Sequence, residues 1–111
     1  MPVDEPNTID IICEKRDGTI QLIVSDHLPF DGDAEHLLIL QTKLNAYLRF
    51  LESGEIYQKY PSALDRTVTV EIVFFEKPDR DARLFLLKAA EIFDSAGFPL
   101  THKVFADSYD N

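Results

Sequence analysis

The chain has 111 residues, 45% of them hydrophobic, with twenty acidic and eleven basic side chains and a net charge of −9 at neutral pH. That length supplies one hydrophobic core and leaves no room for two independent domains, so residues 1–111 read as a single domain. A field of this sign repels phosphate backbones and anionic lipid headgroups, which argues against nucleic acid or a membrane surface and favours a basic protein as partner.

The lone Cys13 has no intramolecular disulfide partner and cannot by itself hold a metal. Within an apolar strand it reads as a small buried hydrophobe. The first residues, MPVDEPNTID, lack the basic start and apolar stretch of a secretory leader, and no apolar run approaches a membrane span. The cytoplasm is the expected compartment.

In chain order, residues 1–7 carry two prolines and two acids and are expected to fray, as is the tail 107–111. From Thr8 to Arg16 apolar and polar residues alternate, and Asp17-Gly18 offers a two-residue hairpin turn into a second strand, TIQLIVSD. That loop would set Cys13 opposite Leu22 and Ile11 opposite Val24. After the connector HLPFDG, Asp33 is the expected cap of a long helix ending at Gly54, with Glu35 in its first turn. At roughly 100° per residue, Leu37, Leu40, Leu44, Tyr47, Leu48 and Leu51 form one apolar face. Ile39, Ala46 and Phe50 form a second stripe, which needs the other helix or another molecule to cover it.

Residues 55–66 form a link with room for one helical turn before Pro61, and they carry Tyr57 and Tyr60. These tyrosines either rim an interaction surface or plug the end of the core. A third strand, TVTVEIVFFE, precedes a second helix over about 79–96, capped by Asp79 or Asp81 and stopped by Gly97. The last strand, about 99–106, places Leu100, His102 and Val104 on one side. The order is ββαβαβ. Right-handed crossovers taken in one direction give an α+β two-layer sandwich, a four-stranded mixed sheet with two helices on one face. Strand orders 2-1-3-4 and 1-2-3-4 both satisfy the rule, and the first is preferred.

The run SDHLPFDGDAEHLLILQTKLNAYLRFLESGEIYQKYP, followed by TVTVEIVFF, resembles a family of small bacterial proteins defined only as a domain of unknown function. The resemblance covers nearly the whole chain. It implies a bacterial, cytoplasmic, single-domain α+β protein and attaches no activity, cofactor or catalytic residue.

No pattern in the chain spells a catalytic site, so no enzyme, cofactor or metal is expected. Asp26, His27, Asp31, Asp33, Glu35 and His36 cluster, and Asp31-Gly32-Asp33 looks superficially like part of a calcium loop. It lacks the alternating oxygen ligands and closing Glu of such a loop. Replacing His36 is accordingly expected to cost modest stability. The features that resist a purely structural reading are apolar. Ile12, Ile23, Val73, Phe75 and Phe105 should point away from the helices, and with Ile39, Phe50, Tyr57 and Tyr60 they form the candidate interaction surface. The best reading is a small acidic protein-interaction module, an immunity-type or regulatory binder of a basic protein. The alternatives are a homodimeric structural or adaptor protein, and a ligand- or metal-binding protein that uses the Asp26–His36 loop.

Overall fold

Strict alternation decides how the sheet sits: every second residue of Ile20–Asp26 (β2) and of Val68–Phe74 (β3) is buried, and the residues between are half-exposed. A computed structural model describes residues 11–30 and 34–105. Ile11–Glu14 (β1) precedes β2, and Ala34–Glu52 (α1) follows it. Glu55–Lys59 (α2) and one 3-10 turn at Pro61–Ala63 lead into β3, which is followed by Arg80–Ser95 (α3) and Leu100–Val104 (β4). The frayed ends expected at residues 1–7 and 107–111, and the expected cap at Asp33, lie outside the described residues.

β2, β3 and β4 run parallel and β1 is antiparallel to β2, giving a mixed sheet in the order β1-β2-β3-β4. The preferred order 2-1-3-4 is therefore replaced by the other allowed one. The seven residues of β2 all find partners on β3, whereas β1 has only four residues and suits an edge. Leu40, Leu44, Tyr47 and Leu51 of α1 join Leu86, Ala89 and Phe93 of α3 over Ile20, Leu22, Val24, Val70 and Ile72 in one hydrophobic cluster. Both long helices thus cover one face of the sheet. The Tyr47 hydroxyl donates to the Ile23 carbonyl at 2.9 Å, tying α1 to the middle of β2.

The hairpin departs from expectation by one residue. The Gly18 N–H donates to the Lys15 carbonyl at 2.9 Å, and the Lys15 N–H donates to the Thr19 carbonyl at 2.8 Å. Gly18 has φ +89° while Asp17 has no positive φ, so the connection is a three-residue loop ending in a left-handed glycine. A two-residue primed turn needs both residues left-handed. The extra residue flips the register: Ile12 faces Leu22 and Ile11 faces Ile23. Ile12 therefore packs against the core under the helices, and Ile11 takes its place on the opposite face.

The second stripe of α1 is absorbed by the fold. Phe50 is buried and Ile39 packs against the core cluster. The α1 residues that line the cleft with α3 are Gln41, Leu44, Asn45 and Leu48, so Ile39 and Phe50 sit on the flank turned from α3. That flank packs on the core cluster rather than on the second helix. Between those flanks Lys43 is fully buried, with its Nζ 5.5 Å from the centre of the Tyr47 ring. Tyr57 and Tyr60 also pack on the core beside the buried Ile56, closing its end past α1.

A Cβ at Gly18 would meet no atom within 4 Å, so its positive φ alone opposes a side chain. Gly18→Ala should lower the unfolding free energy by about 1 kcal/mol in a denaturant titration. Gly18→Asn should cost less, because asparagine tolerates this conformation. Equal losses would show that the left-handed backbone is not what fixes the loop.

Candidate functional site: a buried acid–imidazole pair and an open sheet face

Asp26 ends β2 on the helix-covered side, and His36 stands in the first turns of α1 ten residues later. Both are buried. The His36 Nε2 lies 2.7 Å from Oδ2 and 2.9 Å from Oδ1 of Asp26, and its Nδ1 lies 3.0 Å from the Pro29 carbonyl. Phe30 stacks on the imidazole at 4.2 Å between ring centres and meets Phe74 edge-on at 5.4 Å. The Leu28 N–H donates to Asp26 Oδ1 at 3.1 Å, and the Asp26 carbonyl accepts the Phe75 N–H at 3.0 Å.

A carbonyl oxygen only accepts, so Nδ1 must carry a proton toward Pro29. The contact with Asp26 needs a second proton, held on Nε2 or on the carboxyl. Either way the pair is neutral as a unit, and the imidazole has no nitrogen left for a substrate. Burial pushes the Asp26 carboxyl up from its ordinary 3.8, against the hydrogen bond and charge of His36, which pull it down. The arrangement anchors the loop between β2 and α1 at the C-terminal end of the parallel strands.

The other histidines and the neighbouring Ser25 do not assemble with this pair. His27 is exposed, and Ser25 belongs to the opposite face of β2. His102 is exposed on the helix-covered side of β4, because an edge strand is only partly covered by α3. Among the described residues no three His, Cys, Asp or Glu side chains converge as metal ligands would; Asp31 and Asp33 lie outside them.

The face turned from the helices is built by the other half of each strand. Ile11 pairs with Ile23 at its β1 side. At the C-terminal end, Phe75 stacks on Phe105 with ring centres 5.3 Å apart, beyond the half-buried Val73. Phe75 is 50% exposed and Ile11 46%. Between these apolar ends Glu71 and Lys103 form an ion pair at 3.6 Å, with Thr69 and Thr101 on the same face. Of the nine candidate surface residues, the structure gathers Ile23, Val73, Phe75 and Phe105 here. Ile12, Ile39, Phe50, Tyr57 and Tyr60 belong to the helix-covered layer. Sequence reasoning missed Ile11, whose side depends on the loop length, and the Asp26–His36 bond, for which Asp and His flanking a strand-to-helix connection were the only signal.

The described residues thus form an α+β layer with both long helices on one sheet face and a saturated Asp26–His36 pair at the strand ends. The chain belongs to a family of unknown function, DUF6572, whose model matches residues 1–106. Neither a curated protein nor a solved structure matches it. Among the described residues no helix is long and apolar enough to cross a membrane.

Buried and doubly bonded, His36 should carry more than a modest share of stability. Asp26→Ala leaves a ring nitrogen and the Leu28 N–H unsatisfied, and should cost about 2–4 kcal/mol. Asp26→Asn should retain most of that, since its amide can donate to Nε2 of a neutral imidazole. Asn also copies the protonated carboxyl at every pH. With the native Asp26 value raised, the unfolded chain releases this proton first, so wild-type stability falls as pH rises through the native value. The Asn variant has no carboxyl to titrate at this position and should lack that part of the fall, seen above about pH 4. Denaturation of both proteins across that range would expose a trend of the opposite sign.

Proposed function

We propose that the protein works by binding another protein through the open face of its sheet, as an acidic immunity-type or regulatory binder of a basic partner in the bacterial cytoplasm. One observation carries this reading: the stacked Phe75 and Phe105 stand half-exposed on a sheet face that neither long helix covers. Aromatic side chains held rigid at an exposed site supply contact area at small entropic cost, and such residues dominate protein interfaces. The charge of −9 adds direction, since a basic partner would be drawn in from a distance.

The ligand-binding alternative draws no such support. Its central side chains, Asp26 and His36, already satisfy each other. Binding, by contrast, asks only for surface, and Ile11, Ile23 and Val73 extend it away from the phenylalanine pair.

The test is capture from native extract with wild-type and Phe75→Glu protein. Phe75→Glu should reduce recovery of the captured basic protein at least tenfold, with unchanged helical content and melting. Raising salt from about 0.05 to 0.5 M should slow association more than it speeds release. Undiminished capture by the variant, or association indifferent to salt, would contradict this function.

A further inference from the structure

A second surface, separate from the open face, lies where α3 overhangs the free edge of β4. β4 pairs with β3 on one side and with no strand on the other among the described residues. Above it runs an open groove lined by Arg80, Arg83, Leu84, Leu87, Leu100 and His102. Leu87 is 64% exposed and Leu84 51%, so α3 presents large apolar side chains outside its own core contacts. An exposed strand edge beside an apolar helix stripe is a place where a further strand and helix can add.

The charges along that stripe indicate which strand and helix. Projected along α3, Arg80 and Arg83 stand at its start, and Glu91 and Asp94 stand at its end on the same outer side. Leu84, Leu87 and Ala90 lie between them. Leu87 is the midpoint of Arg83 and Glu91, of Arg80 and Asp94, and of Leu84 and Ala90. A stripe with this pattern is complementary to itself when reversed. We propose that a second copy of this chain docks here, β4 against β4 antiparallel about His102 and α3 against α3 antiparallel about Leu87, to give one continuous eight-stranded sheet.

The strand register agrees with the helix pattern. Pairing about His102 sets Leu100 opposite Val104 of the partner subunit on the helix side, and Thr101 opposite the partner's Lys103 on the open side. Each Lys103 keeps its ion pair with Glu71 in its own chain. His102 and Leu87 line the same groove, which allows one two-fold axis to serve both layers. Strands in a sheet are about 4.8 Å apart. A helix seated midway over β3 and β4 would therefore lie about 10 Å from its symmetry mate, the usual distance for packed helices. The contact is isologous, so it closes as a dimer and leaves no edge of β4 for a filament.

The test uses two charge-reversed variants and sedimentation equilibrium up to about 0.5 mM chain. Wild type should approach twice the 12.7 kDa chain mass. Arg80→Glu with Arg83→Glu makes both ends of the stripe acidic, and Glu91→Arg with Asp94→Arg makes both basic; each should be monomeric alone. Mixed in equal amounts they should restore a dimer, because every end then meets its opposite. Both variants stay net negative, so overall charge does not draw them together. Leu87→Glu, at an exposed site, should also abolish the dimer while keeping partner capture, whereas Phe75→Glu should keep the dimer. A monomeric wild type at the top concentration, or no dimer on mixing, would overturn the proposal. So would a dimer that Phe75→Glu breaks and Leu87→Glu does not, which would make the open face the self-interface.

Discussion

Handedness organises this molecule. β2, β3 and β4 are parallel neighbours, so each connection between them must cross over the sheet, and such crossovers are right-handed. Because both steps advance in the same direction, α1 and α3 are forced onto the same side. A reversal in direction would have sent the second helix to the other face and buried the sheet on both sides, as in doubly wound folds. The open face carrying Phe75 and Phe105 follows from this topology rather than from any feature of its own. So does the edge of β4 that no strand pairs among the described residues, where the progression stops.

The same topology explains where the polar groups are concentrated. A parallel strand delivers its chain to the top of the sheet, and the connection must turn down into a helix there. At the end of β2 this turn is held by the Asp26–His36 bond, by the His36 contact with the Pro29 carbonyl and by the Phe30 stack. In many α/β proteins the ends of parallel strands hold the chemistry. Here the imidazole is enclosed and both its nitrogens are engaged, so two members of the Asp–His cluster seen in the sequence act as an anchor for the helix start. The burial that raises Asp26 also makes the bond costly to break, because each partner alone would be an unsatisfied buried group.

Much of the fold was legible in the sequence because it rests on periodicity. Val68, Val70, Ile72 and Phe74 declared β3, and the spacing of Leu40, Leu44, Tyr47 and Leu51 declared the buried side of α1. What escaped depended on a single residue or on distant partners. Asp17-Gly18 suits two loop lengths, and the choice between them moved Ile12 into the core and Ile11 out of it. Lys43 stands between the two apolar stripes of α1, yet it is buried with them, so the stripes are one broad face. A hydrophobicity pattern cannot see a lysine stem packed beside a tyrosine ring. Strand order was beyond the handedness rule, since both candidates obeyed it. The site was legible to a similar degree: Phe75, Phe105, Val73 and Ile23 follow from strand parity, whereas the pairing of Asp26 with His36 needs a loop path that residue spacing does not define.

The central claim is that the side of the sheet that neither long helix covers is the working surface. Methyl NMR with a soluble paramagnetic probe, on the free protein and on its complex with the captured partner, addresses it most directly. In the free protein the Ile11, Ile23 and Val73 methyls should be broadened while those of Ile20 and Val70 are spared. In the complex the first group should become protected, with Leu84 and Leu87 unaffected by partner addition. Continued broadening of Ile11, Ile23 and Val73 in a saturated complex would contradict the account.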